Sequence, residues 1–93
     1  MVKQIVLYTF KENVDKEKAV ALIASKLEPL VGVIPGLLHL EIRRAYQGLD
    51  YALYSEFESR EALAAYAEHP AHLEAKIHFW DLLENRYSAD YDF

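Results

Sequence analysis

The residues best suited to chemistry cluster in the last third of the chain: Tyr66, His69 and His72. Histidine has an ordinary pKa of about 6.5, so a neutral ring that can take a proton is available at pH 7. His72 follows the His69-Pro70-Ala71 step and falls in the first turn of a helix. There it can act as a general base at the rim of a cavity, or it can only secure the helix start by bonding to backbone. Tyr66 falls on the core-facing stripe of the helix before it. Its hydroxyl can orient His72 or polarise a substrate oxygen. The alternative is a core tyrosine with a satisfied hydroxyl.

Other side chains extend this candidate site. Gln4 and Tyr51 occupy strand positions expected to face the helices, where they would add polar contacts to an apolar pocket. Trp80 falls on a helical apolar stripe, as core or as a platform for a ligand. The histidines do not form a zinc set: a catalytic zinc site usually takes three suitably placed ligands. His69 and His72 are three apart, but Pro70 lies between them; His39 is remote, and His78 is expected in solvent. Glu56 and Glu58 alternate on one strand face, as solvated or interfacial carboxylates. No Ser-His-acid arrangement, glycine-rich phosphate loop or dinucleotide fingerprint occurs. No cysteine is present, so disulfides, thiolate metal sites and cysteine nucleophiles are excluded.

The elements that must position these residues follow from hydropathy. Val2 to Phe10 is β-branched and aromatic, and reads as a strand. Gln4, Val6, Tyr8 and Phe10 alternate with Ile5, Leu7 and Thr9, so both faces are largely apolar, as in a strand covered on both sides. Asn13 or Asp15 can cap the next helix. Ala19, Leu22, Ile23, Leu27, Leu30, Val31 and Ile34 form its apolar stripe. Pro29 predicts a kink or an end near Glu28, and Ile34-Pro35-Gly36 stops the run. Leu37–Tyr46 and Tyr51–Glu58 read as an antiparallel hairpin about a short turn with Gly48. In its first strand Leu38, Leu40 and Ile42 are expected on one face, and His39, Glu41 and Arg43 on the other. Ser59 caps a second helix carrying Ala62, Leu63, Tyr66 and Ala67. His69-Pro70 breaks that helix, and Pro70 starts another, with Leu73, Ile77 and Trp80 as its buried stripe. Asn85–Phe93 closes the chain as a strand.

The order β-α-β-β-α-β, with the second helix split, predicts a ferredoxin-like α+β fold with a four-stranded antiparallel sheet over residues 1–93, one domain. Both helices then lie on one face of the sheet. Ile5, Leu7 and Leu37 are expected on the bare face, an apolar patch that monomers seldom expose. Pairing two sheets would bury it. At roughly 25 cal/mol per Å², several hundred Å² per subunit contributes on the order of 10 kcal/mol before association costs. A symmetric homodimer is the expectation.

Composition narrows the partners. The chain has 93 residues, 53% hydrophobic and 27% charged, a globular balance. Ten basic residues stand against 15 acidic ones, a formal net charge of −5. That argues against nucleic acid, whose phosphates need a concentrated basic surface, and against an anionic membrane. No run reaches the roughly 20 apolar residues that span a bilayer. Met1–Phe10 lacks the basic start and long apolar run of a signal peptide. A cytoplasmic protein is the expectation.

Several pieces of sequence then fall together: Val2-Lys3-Gln4-Ile5-Val6-Leu7, Ile34-Pro35-Gly36, Phe57-Glu58-Ser59, His69-Pro70-Ala71-His72-Leu73 and Asp90-Tyr91. Over nearly its whole length the chain resembles the stress-responsive A/B barrel (Dabb) family of dimeric α+β barrels. The His-Pro-x-His element is the most specific part. Many bacterial members have no assigned activity. The best-understood branch is similar to plant polyketide cyclases, which close a ring by acid–base catalysis without a cofactor. The resemblance implies a His-Tyr pair at His72 and Tyr66 in a cavity between sheet and helices. This chain departs from the cyclase pattern at Gln4, where that pattern has histidine, and at Leu27, where it has tyrosine. Tyr51 replaces a further pocket histidine. The resemblance also implies a magnesium site at the Pro35-Gly36 corner, made by the backbone carbonyls of Val31, Ile34 and Leu37. Water or a partner subunit are the alternatives for those carbonyls. A non-catalytic, stress-related structural or oligomeric protein is the competing functional expectation.

Overall fold

The computed structural model describes all 93 residues. Strand β1 (Val2–Phe10) leads into helix α1 (Lys16–Leu27), capped by Asp15, whose carboxylate accepts from the Lys18 amide at 3.1 Å. Pro29 ends the helix as expected, because it has no amide to continue the ladder. A 3₁₀ turn over Glu28–Leu30 follows. Strands β2 (Leu37–Arg44) and β3 (Tyr51–Phe57) form the hairpin. Ser59 then caps α2 (Arg60–Glu68), α3 runs from Pro70 to Ile77, and a 3₁₀ turn over Trp80–Leu82 leads into β4 (Leu83–Asp92). The sheet order is β2-β3-β1-β4, all antiparallel, which is the ferredoxin-like arrangement.

The core lies on one face of this sheet. Val2, Val6, Tyr8 and Phe10 of β1 and Tyr51, Leu53 and Phe57 of β3 pack beneath Ala19, Ile23, Leu27 and Tyr66 of the helices. Glu28 ties α1 to the sheet edge, since its carboxylate accepts from the Ile42 amide at 3.1 Å. The opposite face has no helix. Its apolar part runs across β1 and β4, through Ile5, Leu7, Tyr87, Ala89 and Tyr91, which the strand register brings side by side. On β2 the same face is polar, with His39, Glu41 and Arg43.

Three expectations are corrected here. Leu37 does not belong to the bare face. The register shifts between Leu37 and His39, so Leu37 pairs with Phe57 and is buried toward the helices, while Leu38 is turned outward. A bulge of this kind changes which face follows it, and strict alternation cannot see it. The second correction concerns α3. Leu73, Ile77 and Trp80 are exposed, and the inward face is instead made by His72, Ala75, Lys76 and Phe79. Apolar residues occupy both sides of this short helix. Hydropathy therefore does not fix its rotation, and the start at His69-Pro70 does. Val31, placed on the α1 stripe by spacing, is also exposed, because the helix has already ended.

Gly36 marks the closest approach of backbone to helix. Its φ is +86°, and a Cβ there would lie 2.5 Å from the Ala62 Cβ on α2. Gly36→Ala should therefore lower stability by more than the roughly 1–2 kcal/mol of a left-handed conformation alone, and Ala62→Gly in the same background should recover part of the loss. Urea denaturation checks this. A Gly36→Ala protein as stable as the parent would contradict the packing described.

Candidate functional site

The helix break builds the site. Pro70 cannot donate an amide, and the chain turns out of α2 at His69, where φ is −65° and ψ is 135°. The His69 Nδ1 accepts from the Ala71 amide at 3.0 Å and caps α3. His69 is thus the histidine that secures the helix start. The turn brings α3 back across the end of α2, so that the rings of Tyr66 and His72 meet at 4.2 Å between centroids, tilted by 36°. Tyr66 also packs on Phe57 at 5.1 Å.

These two residues line a cavity of about 290 Å³ between sheet and helices. Gln4 and Tyr8 of β1 and Leu53 of β3 form its floor, and Leu27, Leu63 and Phe79 supply apolar wall. Lys76 and Arg86 are the charged side chains on its lining. Trp80 stands at the edge, 47% exposed, with the Lys76 ammonium 4.2 Å above its ring. Tyr51 is not on the wall. It is buried behind Tyr8, stacked at 4.5 Å, and its hydroxyl has no hydrogen-bond partner. Burial pushes the Tyr51 hydroxyl far above its ordinary pKa. The sequence expectation of Tyr51 as a pocket residue is corrected on this point: its β3 position faces the helices, but Tyr8 lies over it.

The surroundings of His72 favour its neutral form. Its Nδ1 is 3.3 Å from the Ala67 carbonyl. A carbonyl only accepts, so Nδ1 carries the proton, and the neutral ring keeps its lone pair on Nε2. Burial lowers the His72 pKa below its ordinary value, against the Ala67 carbonyl, with Lys76, Arg86 and His69 adding to the lowering. The ring is therefore neutral at pH 7. Tyr66 and Tyr8 move the other way: burial raises both, although Arg86 opposes it. Their hydroxyls stay protonated and can donate. The wall thus combines one neutral base with two hydroxyl donors, a set suited to moving a proton on an oxygenated molecule.

Residues 2–93 match the stress responsive A/B barrel domain. The chain belongs to this family. It is 34% identical over 96 residues to the stress-response A/B barrel domain-containing protein HS1 of Arabidopsis thaliana, covering 97% of this chain and 87% of that protein. A dimeric protein of unknown function and ferredoxin-like fold from Bacteroides fragilis is 28% identical with a TM-score of 0.89, over 99% of this chain and 95% of that one. A hydroxynitrile lyase from Passiflora edulis is similar in fold alone, at 19% identity and a TM-score of 0.81, over 97% and 90% of the two chains.

In this A/B barrel the Pro35-Gly36 corner has no cluster of acidic side chains, so a magnesium ion there would rest on the carbonyls of Val31, Ile34 and Leu37. The Ile34 carbonyl already accepts from the Leu37 amide at 3.3 Å. A carbonyl oxygen has a second lone pair, so this bond leaves it able to serve a hard cation. No helix is long and apolar enough to cross a membrane. Sequence reasoning missed Tyr8, Lys76 and Arg86 as site residues. Signals existed: Lys76 is one helical turn beyond His72, and Arg86 stands opposite Tyr8 once β1 and β4 pair.

The lowered His72 pKa has a consequence for stability. Below pH 6.5 the unfolded chain takes up this proton before the folded one does, so folding loses stability as pH falls. The contribution is complete above pH 6.5 and lost progressively between 6.5 and the lower folded-state pKa. His72→Gln should flatten that part of the curve. Denaturant midpoints measured from pH 5 to pH 8 test it, and a wild-type curve parallel to that of the variant would contradict the assignment.

Proposed function

We propose that this A/B barrel protein acts as a homodimer that binds, and by cofactor-free acid–base chemistry transforms, a small, partly aromatic, oxygenated molecule beside His72. The observation that carries the reading is the contact between the Tyr66 and His72 rings on the wall of a cavity, with His72 held as the Nδ1–H tautomer. Nε2 is the proton acceptor, and Tyr66 is the neighbouring donor that would orient the ligand oxygen or the histidine. Gln4 adds a polar group to the floor, and Trp80 an aromatic edge. The cyclase-like branch points the same way, with Leu27 and Gln4 as the departures that make this pocket more apolar and less basic than the cyclase pattern. The hydroxynitrile lyase indicates that the fold can house an enzyme.

A small-molecule screen tests this directly. NMR titration with aromatic ketones, phenols and hydroxylated acids should give hits that shift resonances of the cavity residues. His72→Ala should weaken those hits about tenfold or more, and should lower any turnover by roughly 10²-fold or more, the usual scale of general-base loss. A set of hits that bind His72→Ala as tightly as the parent would refute the role of His72.

The bare sheet face supports the dimer. Leu7, Tyr87, Tyr91 and Phe93 are large apolar side chains left exposed on it, and the Bacteroides fragilis relative is described as dimeric. Leu7 lies between Ala52 and Tyr87 at the middle of this face. Leu7→Glu should convert the dimer to monomer in sedimentation equilibrium at micromolar concentration. A parent protein that sediments as a monomer would refute the paired sheets. The competing reading is a non-catalytic, stress-related structural protein, also favoured by this face. Under it the cavity is incidental, and His72→Ala would change melting temperature alone.

A further inference from the structure

We infer that the ligand of this cavity is a small aromatic carboxylate, with the carboxylate seated between Lys76 and Arg86 and the ring against Leu27, Leu63 and Phe79. The inference rests on the cavity reading proposed above and goes beyond it by fixing the charge of the ligand.

Charge distribution carries it. The chain has a formal net charge of −5, yet the fixed charges on the cavity wall are both positive. Of the three acidic residues on the same strand none lines the cavity: Glu84, two residues before Arg86, borders the surface beside Phe10, Lys11 and Glu12, and the others are Asp90 and Asp92. They line a separate depression, where Asp92 is paired with Arg60. In the β1–β4 register Asp90 stands opposite Gln4, and Arg86 stands opposite Tyr8. Arg86 is thus the one charged residue of β4 that lines the cavity.

The pairing of the arginines points the same way. Arg43 is paired with Glu28 and Glu41, Arg44 with Glu17, and Arg60 with Asp92. Arg86, the fourth arginine, makes no ion pair: it bonds to the Ser88 hydroxyl at 3.2 Å and lies against the Tyr8 hydroxyl on the cavity floor. Lys76 has no carboxylate partner either, and its ammonium rests over Trp80 at 4.2 Å. A planar guanidinium without a carboxylate partner beside apolar wall matches the two oxygens of a carboxylate, which it can bind bidentately. A cleft of one sign with low-dielectric walls also concentrates ions of the opposite sign. The Tyr8 and Tyr66 hydroxyls are donors, complementary to anionic oxygen rather than to a cation. The size fits: about 290 Å³ lies at the lower end of ordinary small-molecule sites, the scale of a single-ring ligand such as benzoate.

The test compares benzoate with the neutral benzamide, by NMR titration of the whole protein at pH 7 and low salt. Benzoate should bind about tenfold or more tightly, and the margin should shrink as salt is raised. Arg86→Gln should remove most of the margin, and Arg86→Lys should keep part of it. Arg86 is exposed on an edge strand, so neither change threatens the core. Equal affinity for the two compounds overturns the inference but leaves the cavity as a ligand site. So does a preference that survives Arg86→Gln combined with Lys76→Gln. If neither compound shifts any cavity resonance, the cavity reading fails together with the inference.

Discussion

The structure depends on a sheet that has helices on one side only. A four-stranded sheet with two apolar faces needs two covers, and one chain of this length supplies one. The helices bury Val6, Tyr51 and Phe57 almost completely, while Leu7, beside Val6 in sequence, stays 40% exposed. Every other feature is placed by that asymmetry. The cavity exists where the helix layer fails to fill the space above β1, and the partner surface exists where there is no helix layer.

The two sides differ in chemical character as well as in cover. On the helix side, polar groups enter an apolar floor one at a time: Gln4, Tyr8, Tyr66, His72. For the three that titrate, burial favours the uncharged form, neutral for the histidine and protonated for the tyrosines. On the bare side, β1 and β4 present aromatic and aliphatic surface, while β2 presents His39, Glu41 and Arg43. A seam built there would be apolar along β1 and β4 and polar along β2, a division suited to fixing the register between two copies. The proposed seam and the cavity therefore lie on opposite faces of the same strands, and changes at Leu7 and at His72 should be separable.

Much of this was legible in the sequence. Period-two alternation in β1, the Asp15 and Ser59 caps and the two proline breaks gave the element order. The His69-Pro70 step located the helix break that brings Tyr66 to His72. What escaped has specific causes. The bulge after Leu37 moves a leucine from one face to the other, and the Pro35-Gly36 pair just before it reads as the stop of the preceding helical run rather than as a bulge. In α3 two apolar stripes compete, and only the cap geometry decides that Ala75 and Phe79 face inward rather than Leu73 and Ile77. Tyr51 has the right strand face but is screened by Tyr8, a matter of stacking rather than pattern. Arg86 becomes a cavity residue only through pairing between the first and last strands, a contact that local sequence does not encode.

The central claim is that His72 is a neutral base with its proton on Nδ1 and its lone pair on Nε2, on the wall of the cavity. Nitrogen-15 NMR of the labelled imidazole side chains reads both the tautomer and the titration midpoint of this ring. The account predicts a protonated Nδ1, an unprotonated Nε2 at pH 7, and a midpoint below the ordinary value of about 6.5. A proton on Nε2, or a midpoint above 6.5, would contradict it.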